Sequence, residues 1–241
     1  ENVIKHIEFA AKNGFGGVLV EGWNVGWDGD WFGNGEEFSF TQPYPDFDIA
    51  KLTAYAKSKN VRLIGHHETS GNAAHYESQL EAGFDLYQKL GIDAVKTGYV
   101  ADAGQAKVIG SDGKLHYAWH EGQDMARHHQ KVVDEAAKRH ISVNPHEPIK
   151  DTGLRRTYPN WITREGARGM EFSAWGQPGN PPDPDAYPLP MCTLHRTMVY
   201  PSGTSAITTR SYRVTHTPWA NLLAPYVGLY GLPQYGCDLR A

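Results

Sequence analysis

The sequence has no cluster of basic residues, no apolar run long enough to cross a membrane and no glycine-rich phosphate fingerprint. Nucleic-acid-binding domains carry a basic stripe or face, and the formal net charge here is −4, which argues against that class. A spanning helix needs about 20 consecutive apolar residues, and none occurs. Without a Gly-rich turn opening a helix, the dinucleotide-binding version of an α/β fold is disfavoured. Cysteine is scarce: Cys192 and Cys237 stand far apart, without metal-ligand or redox spacing, and read as buried thiols. No helical His pair four residues apart supports a zinc site. Internal repeats and low-complexity segments are also missing.

What is present is alternation. Asn2 to Lys12 carries Val3, Ile4, Ile7, Phe9, Ala10 and Ala11 at helical spacing, and Asn13-Gly14 stops it. Gly16 to Val20 predicts a buried strand with Glu21, Trp23 and Asn24 at its end. Asp28 to Gln42 is a Gly- and aromatic-rich loop. Helix is predicted over Asp48–Lys59, capped by Asp46 or Asp48, then strand over Val61–Gly65 ending in His66-His67-Glu68. Helix over Ala74–Leu90 and a short strand over Ala94–Lys96 follow. Next come a polar loop or hairpin over Asp102–Leu115, helix over Gln123–Arg139, and the strand that opens Ile141 to Pro148 and ends in Asn144, His146 and Glu147. Beyond Asp151 regularity fades: one short helix within Tyr158–Arg168, a strand at Gly169–Phe172, a Pro-rich loop over Gly176–Pro190 and a last strand over Leu232–Asp238 are expected.

Helix and strand alternating with short connections predict a parallel sheet and an α/β fold. At 241 residues the expectation is a single (β/α)8 TIM-type barrel, incomplete. The chain starts without Met and inside a helical pattern, so it is expected to be a piece of a longer protein. In a parallel barrel the strand C-termini share one face, so the clusters at Glu21, His66–Glu68 and Asn144–Glu147 are expected to converge.

Carboxylates are the obvious agents there. A pair flanking a glycosidic bond can donate a proton and act as base or nucleophile, and three or more would repel unless a hard cation such as Ca²⁺ joined them. Glu147 and Glu68 are favoured because each follows a buried strand directly; Glu77 and Glu165 have plainer readings as exposed or ion-paired residues. Trp23, Trp27, Trp31 and Trp175 form either a sugar platform or core. Lys96 reads as a substrate-binding cation, or as a Schiff-base amine.

Several strings carry a specific resemblance: Val20-Glu21-Gly22-Trp23-Asn24, His66-His67-Glu68-Thr69, Val95-Lys96-Thr97-Gly98-Tyr99, Val143-Asn144-Pro145-His146-Glu147, Arg156-Thr157-Tyr158-Pro159-Asn160 and Glu165-Gly166-Ala167-Arg168-Gly169-Met170-Glu171. In this order and spacing they resemble glycoside hydrolase family 97. The resemblance implies a catalytic (β/α)8 barrel over residues 1–241, flanked in complete members by an N-terminal β-sandwich and a C-terminal β-domain. It implies a periplasmic or secreted enzyme acting on an oligosaccharide, with neither nucleic acid nor membrane insertion. Retaining members carry an Asp nucleophile where this chain has Gly98, so the resemblance implies the inverting branch, an α-glucosidase on starch-derived oligosaccharides, with room for a water left at Gly98. Glu171 resembles the general acid, Glu147 and Glu77 the groups that deprotonate the water, and Glu147, Glu165 and Glu171 the Ca²⁺ ligands. His66, His67, Lys96, His146 and Trp23 resemble substrate-binding positions. An α-galactosidase of the same family and a catalytically inactive sugar-binding barrel stay open as alternatives.

Overall fold

The structure, a computed structural model, describes residues 2–100, 104–150 and 153–165 together with three later strands. The chain divides into two compact units, residues 1–161 and 162–241.

In the first unit, helix α1 (Asn2–Asn13) leads to β1 (Gly17–Leu19), α2 (Ile49–Ser58), β2 (Arg62–Glu68), α3 (Ala73–Leu90) and β3 (Ala94–Gly98). A hairpin of β4 (Ala106–Ile109) and β5 (Leu115–Ala118) then precedes α4 (Gln123–Lys138) and β6 (Ser142–Pro145). The four main strands form one sheet in the order β1-β2-β3-β6, every pair parallel. This is the βα succession expected of a (β/α)8 barrel, and it places the C-terminal ends of these strands together.

The local reasons are in the sequence. Asp48 caps α2 by accepting the Lys51 N–H at 3.0 Å. Asn72 caps α3 in the same way through the His75 N–H. Gly91 ends α3 in the left-handed conformation, at φ 76°, where a side chain would be strained. Ile7 and Ala10 of α1 pack on Ala56 and Val61. The main core joins Leu63 and Val95 of the sheet to Tyr76, Leu80, Phe84 and Tyr87 of α3 and Val132 and Ala136 of α4. Apolar burial of this kind contributes roughly 25 cal/mol per Å².

Two strands run further than the apolar pattern predicts. Strand β2 continues through His66, His67 and Glu68, and β3 through Thr97 and Gly98, because their ladder keeps pairing (His67 with Thr97, Glu68 with Gly98) after the apolar residues end. The chemistry-bearing residues are thus part of the rigid sheet. The hairpin expected within Asp102–Leu115 is formed by β4 and β5, with Ala106 opposite Ala118 and Ile109 opposite Leu115. The helix expected within Tyr158–Arg168 is not formed over its described part, residues 158–165. A single 3-10 turn stands earlier, at Leu154–Arg156, and Pro159 follows it.

In the second unit, β7 (His195–Arg196), β8 (Thr204–Thr208) and β9 (Leu232–Gly236) form a three-stranded sheet, β7 antiparallel to β8 and β8 parallel to β9. The last of these answers the strand expected over Leu232–Asp238. The Gly169–Phe172 strand and the Pro-rich loop lie outside the described residues.

Candidate active site

Parallel register sets the site out in two rows. His66 of β2 pairs with Lys96 of β3, and Lys96 with Asn144 of β6; two residues further along, Glu68 pairs with Gly98. Alternation along β2 sends His66 and Glu68 to one face and His67 to the other.

In the first row the Lys96 ammonium donates to Glu21 Oε1 at 2.7 Å, and His66 Nε2 lies 3.9 Å from the same oxygen. Desolvation at the strand ends pushes the Glu21 carboxyl up, but the Lys96 ammonium outweighs it and holds the group down at about 2. His66 is buried between the Trp27 ring at 5.6 Å and the His146 ring at 5.8 Å. Burial pushes it down to about 4, so the imidazole is neutral near pH 7. Both His66 ring nitrogens and Asn144 Oδ1 are buried without a hydrogen-bond partner. Buried polar atoms left bare in this way are the natural contacts of a bound polar ligand.

In the second row Glu68 Oε1 accepts the N–H groups of Thr69 at 2.9 Å, Ser70 at 2.6 Å and Val100 at 3.3 Å. Its Oε2 lies 3.0 Å from His146 Nε2, while His146 Nδ1 meets Glu147 Oε2. Burial pushes the His146 imidazole down, but Glu68 and Glu147 outweigh it and raise it to about 10. Burial likewise pushes Glu68 up, and the charged His146 more than offsets this, holding it below the usual carboxylate range. The result is an imidazolium between two carboxylates. The ligand atoms of His66, Glu68 and His146 all lie within 4.8 Å of one another.

The ion pair crosses over Gly98. A Cβ there would stand 1.9 Å from His146 Nε2 and 2.1 Å from Glu68 Oε2. The position that a side chain at 98 would take is therefore filled by these two side chains.

Three expected site residues have other surroundings. Trp23 is only 2% exposed; its indole packs on Phe47 and Tyr87 and donates to the His66 carbonyl at 2.7 Å, so it is core and not a sugar platform. His67 points into the helix layer, where Nδ1 meets the Tyr76 hydroxyl at 2.9 Å and the ring stacks 4.7 Å from Tyr87. It positions no ligand; burial pushes it well below the ordinary histidine range. Glu77 is committed to α4: Oε1 bonds His128 Nδ1 at 2.7 Å and Oε2 accepts from Lys131 at 2.6 Å. Burial pushes Glu77 up, and these two partners outweigh it to hold the group at about 2. Glu68, favoured from the residues but given no role by the family resemblance, is brought to the strand ends with Glu21 and Glu147. Its signal was available, since two residues after His66 is the same face of a strand. Glu165 belongs to the second unit and is buried there, while Glu171 and Trp175 lie outside the described residues.

Residues 1–167 match the model of the family described as glycoside hydrolase 97. A retaining α-galactosidase of Bacteroides thetaiotaomicron is 27% identical over 177 residues, covering 72% of this chain and 22% of that protein. A probable retaining α-galactosidase of Streptomyces bingchenggensis is 24% identical over 170 residues, covering 69% and 22%. A solved family 97 enzyme from Pseudoalteromonas sp. strain K8, in complex with acarbose, is 63% identical with a TM-score of 0.70, covering 73% of this chain and 27% of that one. A variant of that enzyme, 62% identical, was solved with panose. The chain thus spans about a quarter of the length of these relatives. Both curated relatives are named retaining α-galactosidases, which overturns the inverting α-glucosidase expected above.

Two measurements test this geometry. Gly98→Ala should destabilise by about 1–3 kcal/mol or more through overpacking. In a double-mutant cycle read by urea denaturation, Gly98→Ala with His146→Ala should cost clearly less than the sum of the two changes; additivity would contradict the crossing ion pair. Glu77 has a folded pKa below its ordinary 4.5, so its stabilisation is present above about pH 4.5 and is lost as pH falls toward 2. Glu77→Gln should therefore cost about 1–3 kcal/mol at pH 7 and flatten the acid-side loss of Tm, with kcat near wild type. A collapse of kcat at unchanged Tm would return Glu77 to the chemistry.

Proposed function

Because this chain belongs to glycoside hydrolase family 97, we propose that the face built by Glu21, His66, Glu68, Lys96, His146 and Glu147 binds and cleaves an α-linked oligosaccharide. The observation that carries this reading is the charged, hydrogen-bond-hungry surface at the strand ends. Bare His66 nitrogens and the Asn144 oxygen stand beside the Lys96–Glu21 pair and two carboxylates joined through His146. A pyranose ring carries donors and acceptors all round, and its hydroxyls complement such a surface. The α-linkage follows the names and ligands of the relatives.

Cleavage needs a proton for the leaving oxygen and a carboxylate at the reacting carbon or its attacking water. Glu68 Oε1 accepts backbone N–H groups and Oε2 faces His146 Nε2 at 3.0 Å, so its part is to hold His146 charged and oriented. Glu147 is the group with freedom to react. Its side chain is 55% exposed, with one oxygen turned to His146. His66, neutral and aromatic-stacked, and the Lys96–Glu21 pair orient sugar hydroxyls. We assign the acid to Glu171 by family resemblance.

Calcium belongs to the same proposal by family resemblance alone, which names Glu147, Glu165 and Glu171 as its ligands. An all-carboxylate donor set suits a hard cation, and the open Glu147 side chain has an oxygen to offer. When bound, calcium supplies positive charge that offsets the repulsion among these carboxylates.

The full-length protein should hydrolyse panose or p-nitrophenyl α-galactoside; inertness toward both, and toward p-nitrophenyl α-glucoside, would overturn the assignment. Glu147→Gln should lower kcat by roughly 10²–10⁴-fold with the fold intact by circular dichroism. For calcium, EGTA should lower the Tm of the wild type and added Ca²⁺ should restore it. Glu165→Gln should abolish that response, and a Tm indifferent to EGTA would remove the metal.

A further inference from the structure

We propose that His120 is a positioning residue that holds Glu147 in its working conformation; this rests on the role given to Glu147 above. Glu147 sits at φ 40°, in the left-handed region that a glutamate rarely adopts. Such a backbone persists only where its surroundings over-determine it.

The surroundings come from both sides. Before Glu147, the His146 N–H donates to the Thr97 carbonyl at 2.8 Å, pinning the strand end to β3. After it, the Lys150 N–H donates to Glu121 Oε2 at 2.9 Å. At the strained residue itself, the His120 Nε2–H donates to the Glu147 carbonyl at 2.6 Å. Two of these three bonds come from one turn, residues 119–122, between the hairpin and α4. That turn is itself fixed: the Gly122 N–H closes on the Trp119 carbonyl at 2.8 Å, and Ala118 just before it is buried with Met125 and Trp161.

The His120 ring is committed to this contact. A carbonyl only accepts, so Nε2 carries the proton, and Nδ1 is buried without a hydrogen-bond partner. Removing the donor frees the Glu147 carbonyl to turn, φ relaxes to a negative value, and the carboxylate swings off His146. The hairpin turn thus takes part in the chemistry without touching substrate.

The test uses the full-length protein on the substrate it hydrolyses. His120→Gln keeps an N–H at about the reach of Nε2, His120→Asn is too short, and His120→Leu has none. Asn and Leu should lower kcat about tenfold or more while KM stays nearly constant, and Gln should retain most of kcat. If Leu fails to fold, the Asn and Gln pair still decides. Wild-type kcat in the Asn variant, or an equal loss in Gln and Asn, overturns the proposal. Glu147→Gln separates the two layers. If it keeps wild-type kcat, the role of Glu147 falls and this inference with it. If it loses kcat while His120→Asn does not, the positioning role alone falls.

Discussion

The pairing of Glu68 with His146, two opposite charges facing each other out of reach of water, sets conditions on most of what surrounds it. Desolvating such a pair costs several kcal/mol per ion, and attraction offsets this only when the remaining hydrogen-bonding capacity is met. The fold meets it locally. The turn after β2 aims the Thr69 and Ser70 N–H groups at Glu68, and Glu147 takes the second nitrogen of His146. Strand β3 must bring no side chain between the two, so position 98 is glycine. The loop conformations at the ends of β2, β3 and β6 are consequences of one electrostatic arrangement.

Strand β2 shows how a single stretch serves core and chemistry at once. His66 and Glu68 face the site, and His67 between them enters the helix layer against Tyr76, Phe84 and Tyr87. Tyr87 in turn grips the backbone of His66: its hydroxyl accepts the His66 N–H at 3.0 Å and donates to the His66 carbonyl at 3.1 Å. Trp23 donates to the same carbonyl. Trp23 and Tyr87 therefore act one layer behind, fixing the peptide that presents the bare imidazole.

The helices, the Asp48 cap and the parallel order were legible because periodicity and capping are local signals. The convergence of Glu21, His66, Lys96, Asn144 and His146 was legible too, since parallel strands leave little choice about where their ends meet. The surroundings of Glu77, His67 and Trp23 were not legible, for one physical reason. Each depends on which way a side chain points relative to a neighbouring layer, and that is set by register and helix rotation. Glu77 finds His128 and Lys131 because α3 and α4 lie side by side, a fact carried by neither segment alone. The left-handed backbone at Glu147 has no sequence signature, as the residue is not glycine and is followed by proline.

Gly98 also ties the identities of three positions in this chain together. A carboxylate at 98 and the Glu68–His146 pair claim the same volume, so neither can be added while the other remains in place. A side chain at 98 requires the ends of Glu68 and His146 to move, and loss of either one leaves its buried partner without its counter-charge. For any newly met sequence of this kind, the residues at positions 68, 98 and 146 should be read as one character with a few permitted states, and not as three independent columns.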